Sequence, residues 1–179
     1  MYKPFITVSI KTFNEAECIE KTIDSIRRQI GEYPHKIIVA DSLSTDNTQQ
    51  LASDKGVMVV SLTEPTDRCC GVGHQLGYLH SEGEFILLMD GDMELEPGFI
   101  DHAVTFLQNN PTYAGVAGTV EMDDASNYEF TSRKQRINKI YPLGDNDHLG
   151  GGGLYRLSAI ADIGYLTNAS GKWEKGQIF

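Results

Sequence analysis

Phe85-Ile-Leu-Leu-Met-Asp-Gly-Asp92 is a run of large apolar residues that ends on two carboxylates separated by a glycine. Five consecutive apolar residues match the length of a strand buried on both faces, as in a parallel sheet covered by helices. The two-residue period of a strand would point Asp90 and Asp92 to the same side, and Gly91 would let a ligand approach the backbone closely. Carboxylates are hard oxygen ligands, so the pattern predicts a site for Mg²⁺ or Mn²⁺ together with substrate phosphates.

The same residues are also compatible with a solvated turn. The sequence has 25 acidic residues among 179, so acid-x-acid pairs such as Glu82/Glu84 and Asp145/Asp147 arise by chance. Asp90-Gly-Asp92 differs from these pairs because it follows a strand that should be central in its sheet. Open α/β sheets bind ligands at the carboxyl ends of their strands.

Composition favours one globular domain spanning residues 1–179. The chain is 40% hydrophobic and 22% charged, and no low-complexity stretch divides it. Its net charge of −10 argues against nucleic acid or an anionic membrane as the main partner, because both attract basic surfaces. Composition does not determine the oligomeric state.

Cysteine usage and hydropathy predict a cytoplasmic location. The 3 cysteines form neither a disulfide framework nor a zinc-binding spacing, which is typical of a reducing compartment. No run of about 18 apolar residues is present, so we expect no transmembrane segment. Peripheral contact with a membrane is compatible with the sequence.

Strand and helix patterns alternate through the first half of the chain. Strands are expected at residues 5–10, 36–40, 57–62 and 85–89, and helices are expected to begin near residues 14, 44, 72 and 97. Asn14 should cap the first helix, whose buried stripe is Ile19, Ile23, Ile26 and Ile30. This alternation predicts an α/β fold with a mostly parallel sheet and helices on both faces.

Polar residues follow three of the predicted strands, and the carboxyl ends of neighbouring parallel strands meet at one edge. Asp41 follows a buried strand directly, and an ionised group there needs a partner, for which a ribose hydroxyl or a base N–H would serve. Asn14 and Glu15 also have a simpler interpretation as a helix cap and a group that complements the helix dipole. The residues expected to converge are Thr12, Asn14, Glu15, Asp41, Asp90 and Asp92.

Three blocks of this sequence resemble the opening blocks of family 2 glycosyltransferases, which adopt the Rossmann-like GT-A fold. The blocks are residues 6–15 (ITVSIKTFNE), 38–48 (IVADSLSTDNT) and 83–92 (GEFILLMDGD), and a later glycine-rich block is found at 150–156. Their order and spacing match the family. The resemblance therefore predicts one GT-A-type domain.

The resemblance also implies a role for each matching residue. The donor would be a nucleotide-diphosphate sugar, and the cofactor would be Mn²⁺ or Mg²⁺. Asp41 matches the acid that holds the nucleobase, Asp90 matches the acid near the ribose and the metal, and Asp92 matches the direct metal ligand. The implied nucleotide-sugar site consists of Thr12, Asn14, Glu15, Asp41, Asp90 and Gly91.

The resemblance further implies inverting transfer of the sugar to a hydroxyl of a saccharide, lipid or protein acceptor, with a carboxylate as general base. Family members usually carry two acids after the glycine-rich block, and the second acid is the base. Here the matching residues are Glu174 and Lys175, which leaves Glu174 as the candidate base. The alternative is a catalytically inactive or C-terminally shortened GT-A domain that binds nucleotide sugars without transferring them.

The third block departs from the family pattern in a second way. His74-Gln75 stands where an Arg-Asn pair is common, so the usual arginine contact with the diphosphate is missing from that position. Arg68 and Arg156 are the alternative candidates for this contact.

Overall fold

The computed structural model describes residues 2–69, 71–121, 131–132, 135–136, 139, 144–145 and 152–161. The candidate base Glu174 and the neighbouring Lys175 lie outside these residues. The described strands and helices, in chain order, are β1 (Ile6–Thr12), α1 (Ile19–Gln29), β2 (His35–Asp41), α2 (Thr48–Asp54), β3 (Met58–Ser61), α3 (Val72–Leu79), β4 (Phe85–Asp90), α4 (Phe99–Asn109), β5 (Gly115–Ala117), β6 (Gly153–Arg156) and α5 (Leu157–Ala161).

Within the described residues the strands form one six-stranded sheet with the order β3-β2-β1-β4-β6-β5. The strands β1 to β4 are mutually parallel, whereas β6 runs antiparallel to β4 and β5. The register aligns Thr12 with Asp41 and Lys11 with Asp90. The predicted α/β architecture is confirmed, and β1, β2 and β4 end together at one edge, which we call the carboxyl rim.

One face of the sheet carries the main hydrophobic core. Alternate residues of the strands, such as Ile6, Val8 and Ile10 of β1, point to this face and are fully buried. The helices α1, α2 and α4 cover it. The predicted isoleucine stripe of α1 is buried along its whole length, as helical spacing requires.

The opposite face is covered by α3 and α5, and α3 lies unusually close to β1. Gly73 and Gly77 are four residues apart and therefore share one face of α3. A Cβ on Gly73 would lie 2.7 Å from Cβ of Lys11, and one on Gly77 would overlap the Ser9 hydroxyl and lie 2.8 Å from Cβ of Ser9. The glycines of this segment thus permit close helix–strand packing.

The start of the first helix differs from the prediction. Asn14 does not cap α1, which begins at Ile19 with Cys18 in the cap position. Asn14 instead adopts a φ of 58°, and its side-chain oxygen accepts hydrogen bonds from the backbone N–H and the hydroxyl of Thr45. A tertiary contact between two loops therefore replaces the local cap that the sequence suggested.

Two other helices also begin later in the chain than the sequence predicts. The second helix begins at Thr48, because Asp46 accepts hydrogen bonds from the backbone N–H and hydroxyl of Thr48 just before the first turn. The fourth helix begins at Phe99 instead of Pro97, because Gly98 takes a left-handed φ of 86° that interrupts the helical path.

We expect Gly77→Ala to lower the free energy of unfolding by about 1–3 kcal/mol, because overpacking at a tight helix–strand contact costs this much. Urea titration of the purified protein measures the change. The Ser9 hydroxyl has no hydrogen-bond partner among the described residues. Ser9→Ala should therefore be nearly neutral alone and should reduce the cost of Gly77→Ala in the double variant. Strictly additive effects would contradict the close packing.

Candidate functional site

Thr12 links the three segments that the sequence placed at the carboxyl rim. Its hydroxyl donates to Asp41 Oδ2 over 2.9 Å. A Cβ on Gly91 would lie 2.8 Å from Thr12 Cγ2 and 3.0 Å from Glu15 Cγ. The ends of β1 and β2 and the loop after β4 are thus in direct contact, and the expected convergence of distant residues is present in the structure.

Asp41 is fully buried, and its carboxylate is surrounded by donors from the protein. Oδ2 accepts from the hydroxyls of Thr12 (2.9 Å) and Ser44 (2.5 Å). Oδ1 accepts from the backbone N–H of Ser44 (2.8 Å) and from the side-chain amide of Gln49 (2.6 Å). The partner that an ionised group needs beside a buried strand is therefore supplied within the chain.

Asn14 and Glu15 connect the β1–α1 loop to the β2–α2 loop through their backbone. The N–H of Asn14 donates to Ser44 Oγ over 2.8 Å, and the N–H of Glu15 donates to Thr48 Oγ1 over 2.8 Å. The adjacent N–H of Ala16 donates to Asp46 over 3.1 Å. These backbone bonds leave the Glu15 side chain facing the loop that carries Asp90 and Asp92.

Two hydroxyl groups of helix α1 make hydrogen bonds to the Asp90-Gly-Asp92 turn and the segment after it. The buried Thr22 hydroxyl donates to the carbonyl oxygen of Gly91 over 2.8 Å. The Ser25 hydroxyl accepts a hydrogen bond from the backbone N–H of Leu95 over 3.2 Å. Helix α1 therefore holds the centre of the turn and the segment three residues after it, while the Asp92 side chain remains exposed.

The carboxyl rim carries a local excess of negative charge. Burial raises the pKa of Glu15 above its ordinary value, and the charges of Asp92 and Asp90 raise it further. The charge of Lys11 lowers the pKa of Glu15 and so opposes this rise. Lys11 also pairs with Asp90, since its Nζ lies 3.1 Å from Asp90 Oδ1. A cationic ligand group or metal ion would relieve the remaining repulsion.

The donor set at the rim fits a hard cation that also binds ligand oxygens. Asp90 and Asp92 provide oxygen ligands of the kind that Mg²⁺ and Mn²⁺ prefer. Among the described residues, no three His, Cys, Asp or Glu side chains are grouped closely enough to hold a metal by themselves. An ion held by Asp90 and Asp92 would therefore need further ligands, such as phosphate oxygens.

His74 faces the same charges from α3 but stays neutral. Its Nε2 lies 3.9 Å from Asp90 Oδ1, which is too long for a hydrogen bond. Burial, assisted by the charge of Lys11, lowers the pKa of His74 to about 3. The imidazole therefore contributes no positive charge at neutral pH, and Lys11 is the cation that pairs with Asp90.

Sequence reasoning did not identify Lys11, Gln49 or Phe13 as parts of this region. Lys11 is the neighbour of Thr12 in β1, and the strand period places the two side chains on opposite faces, so its pairing with Asp90 depends on the strand register. Gln49 reaches Asp41 from the first turn of α2. Phe13 is an exposed ring directly after Thr12, and no local pattern distinguished it.

The two arginines considered for the diphosphate have other partners. Arg68 donates to the carbonyl oxygens of Ser42 and Leu43, both over 2.7 Å, and lies 4.4 Å above the Phe13 ring. Arg156 lies opposite Phe85, the first residue of β4, and therefore at the other edge of the sheet.

Arg156 is occupied by backbone carbonyls at that distant edge. It donates to the carbonyl oxygens of Tyr113 (3.0 Å) and Leu107. A shallow cleft lined by Tyr113 and Arg156 lies there, and a second is lined by Tyr78, Gly83 and Leu157. Neither cleft includes a residue of the carboxyl rim. Because Arg156 pairs with the opposite end of β4 from Asp90 and donates to backbone carbonyls there, it is not placed to contact a ligand at the rim.

The mostly parallel α/β sheet, with acids at the carboxyl ends of its central strands, agrees with the GT-A-type domain that the sequence blocks predict. Residues 7–164 match the family model described as "Glycosyl transferase family 2". The chain belongs to glycosyltransferase family 2, and the resemblance found in its sequence blocks is confirmed.

Curated relatives within this family match parts of the chain. A dolichyl-phosphate beta-glucosyltransferase of Trichomonas vaginalis is 31% identical over 98 residues, which are 49% of this chain and 29% of that protein. A dolichol-phosphate mannosyltransferase of Pyrococcus furiosus is 26% identical over 129 residues, which are 70% of this chain and 36% of that protein. The chain thus spans about a third of the length of these relatives.

Solved structures confirm the fold. A mannosyltransferase from Pyrobaculum calidifontis, in complex with GDP-Man and Mn²⁺, has a TM-score of 0.72 at 23% identity and covers 93% of this chain and 48% of its own. Glucosyl-3-phosphoglycerate synthase from Mycobacterium tuberculosis, in complex with Mn²⁺, UDP and glucosyl-3-phosphoglycerate, has a TM-score of 0.68 at 24% identity and covers 88% of this chain and 58% of its own. Within the described part of the chain, no helix combines the length and the apolar character needed to cross a membrane.

We expect His74 to make stability depend on pH. Its pKa is about 3 in the folded state and 6.5 when unperturbed, so between these values the unfolded chain binds one more proton. Stability should therefore be complete above pH 6.5 and fall as the pH decreases, by at most about 1.4 kcal/mol per pH unit. Urea titrations of metal-free protein from pH 7.5 to about pH 5 measure this slope.

His74→Gln removes the titrating group and should flatten that slope. His102→Gln is the control, because His102 is exposed on α4. If His102→Gln and His74→Gln change the slope equally, the burial of His74 is not the cause of the pH dependence.

Proposed function

We propose that this chain is an inverting, metal-dependent glycosyltransferase that moves a sugar from a nucleotide-diphosphate sugar to an acceptor hydroxyl. The observation that carries the proposal is the meeting of Thr12, Asp41, Glu15 and the Asp90-Gly-Asp92 turn at the carboxyl rim. Membership in family 2 supports it, as do the nucleotide-sugar and Mn²⁺ complexes of proteins with the same fold.

The donor would lie across the carboxyl rim with its base near Asp41 and its diphosphate near Asp92. Phe13 directly follows Thr12 and is exposed. Arg68 already lies 4.4 Å above its ring, so a base that stacks on Phe13 would use the other face of the ring or displace the guanidinium. Asp90 would accept from the ribose. The space beside Gly91 that the sequence suggested for a ligand is filled by the Thr12 and Glu15 side chains, so the glycine permits the turn to pack closely on these two residues. The peptide units of Asn14 and Glu15 would keep the two surrounding loops in place.

Asp92 and Asp90 would hold Mn²⁺ or Mg²⁺. When bound, such an ion supplies neutralisation of the charge that develops on the departing nucleotide diphosphate. Lys11 would hold the Asp90 side chain in position, since the two groups are 3.1 Å apart. The acceptor hydroxyl would attack the anomeric carbon from the opposite side, and Glu174 would take its proton.

A free thiol at Cys18 agrees with a cytoplasmic location.

The alternative function is nucleotide-sugar binding without transfer. It is favoured by one observation: Lys175 occupies the position at which the family pattern has its second acid. Binding and transfer assays separate the two functions, because the donor site is common to both and the base is required for transfer alone.

Asp92→Asn is expected to weaken Mn²⁺-dependent binding of UDP or GDP by about tenfold or more, which corresponds to about 1.4 kcal/mol. The loss of one anionic oxygen from an open site removes a direct ligand of the ion. Calorimetric titration with and without Mn²⁺ measures the change. Asp54→Asn, at the exposed end of α2, is the matched control. The metal assignment is wrong if chelator and Asp92→Asn both leave the affinity unchanged.

Glu174→Gln is expected to reduce sugar transfer by about 100-fold or more while leaving nucleotide affinity unchanged, because a general base acts only in the chemical step. Radiolabelled-donor transfer to a panel of saccharide, lipid and protein acceptors is the measurement. Lys175→Met provides the control at the adjacent position. Full transfer by the Glu174→Gln variant would exclude Glu174 as the base, whereas binding without transfer by the wild-type chain would favour the alternative function.

A further inference from the structure

We propose that Gln49 occupies the position on Asp41 that a nucleobase N–H would take, so that nucleotide binding requires the Gln49 amide to leave Asp41. The inference rests on the proposed function, because it assumes that a nucleotide binds at the carboxyl rim. It adds a residue of α2 that competes with the nucleobase for Asp41, and a requirement that the base carry a ring N–H.

The first argument is the number of acceptor positions on Asp41. An ionised carboxylate offers about four lone-pair directions. Four donors already use them: the hydroxyls of Thr12 and Ser44, the backbone N–H of Ser44, and Nε2 of Gln49. The carboxylate is fully buried, so a base has no unused oxygen surface to approach. One of the four donors must be displaced when a base binds.

The second argument is that these donors differ in mobility. The N–H of Ser44 belongs to the backbone three residues after Asp41, and the Ser44 hydroxyl also accepts from the N–H of Asn14. Thr12 is a buried strand residue with a short side chain. Gln49 is only partly buried and reaches Asp41 with a long side chain that can take other rotamers. It is therefore the donor that can leave at the lowest cost.

The third argument is that Gln49 has a second polar partner nearby. Its Nε2 lies 3.4 Å from Ser61 Oγ at the end of β3. When the amide leaves Oδ1 of Asp41, it can strengthen this second contact without losing every hydrogen bond. The exchange would then replace one N–H···O⁻ bond by another at Asp41, and the buried charge would stay fully paired.

This exchange selects among bases. A uracil-type or guanine-type ring has an N–H that can replace the Gln49 donor. A ring that is methylated at this nitrogen cannot donate, so displacing Gln49 would leave Oδ1 of Asp41 buried without its partner. Every base must displace Gln49, but a base with a ring N–H restores the lost hydrogen bond at Asp41, whereas the other bases do not.

Gln49→Met tests the inference, because methionine keeps the length of the side chain and removes the donor. Gln50→Met is the matched control: Gln50 is the next residue of α2, is exposed, and donates to Asp54 and not to Asp41. Calorimetric titration with Mn²⁺ present compares UDP with N3-methyl-UDP and GDP with N1-methyl-GDP for the wild-type chain and both variants.

Removal of the competing donor should raise the affinity for the unmethylated nucleotide by about tenfold to 100-fold, the range expected for one hydrogen bond to a charged group. The affinity for the methylated nucleotide should rise by a similar factor, because it is relieved of the same displacement, but should stay below that of the unmethylated nucleotide in every variant; Gln50→Met should change neither affinity. Unchanged affinity for the unmethylated nucleotide, weaker binding by Gln49→Met, or equal wild-type affinities for the methylated and unmethylated nucleotides would overturn the inference. Absence of nucleotide binding by wild type and every variant would instead reject the proposed function and the inference together.

A crystal structure of the wild-type chain with bound UDP or GDP needs no variant and so does not depend on the folding of Gln49→Met. Nε2 of Gln49 should lie outside hydrogen-bond distance of Asp41 Oδ1, with a base nitrogen in its place. A base bound while the Gln49 bond of 2.6 Å persists would also overturn the inference.

Discussion

The buried carboxylate of Asp41 is the constraint on which the carboxyl rim depends. A charge placed at the end of a buried strand is stable only if donors surround it, and the donors come from three parts of the chain: Thr12 in β1, Ser44 in the following loop and Gln49 in α2. Satisfying this one group therefore brings together β1, β2 and the first turn of α2. The position of Thr12 then determines how closely the loop after β4 can approach, because Gly91 packs against its methyl group.

The two faces of the sheet support the rim differently. On the face of the main core, α1 holds the Asp90-Gly-Asp92 turn through the hydroxyls of Thr22 and Ser25. On the other face, the close packing of α3 on β1 buries His74 near Asp90 while keeping it uncharged. Lys11 is then the nearby cation of the turn, which leaves part of the negative charge of the rim without compensation. Such an arrangement suits a ligand that arrives with its own cation.

The strongest physical argument for specificity concerns occupancy. The rim does not present an empty carboxylate to a base, because every acceptor position of Asp41 has a donor. Recognition at such a site is an exchange of donors, and the affinity of a ligand depends on how well its N–H replaces the group that it displaces. Fully paired buried charges of this kind keep the free protein stable and still allow selection among ligands.

The class of fold and the segments that meet at the rim could be predicted from local patterns in the sequence. Apolar runs, the isoleucine stripe and the order of elements are local patterns, and parallel strands must bring their carboxyl ends to one edge. The partner of each polar side chain, in contrast, is visible only in the three-dimensional structure. Asn14 binds Thr45 instead of capping α1, Lys11 pairs with Asp90, and Arg156 lies at the far edge. These outcomes depend on strand register and loop contacts between residues far apart in the chain, and no local pattern encodes either.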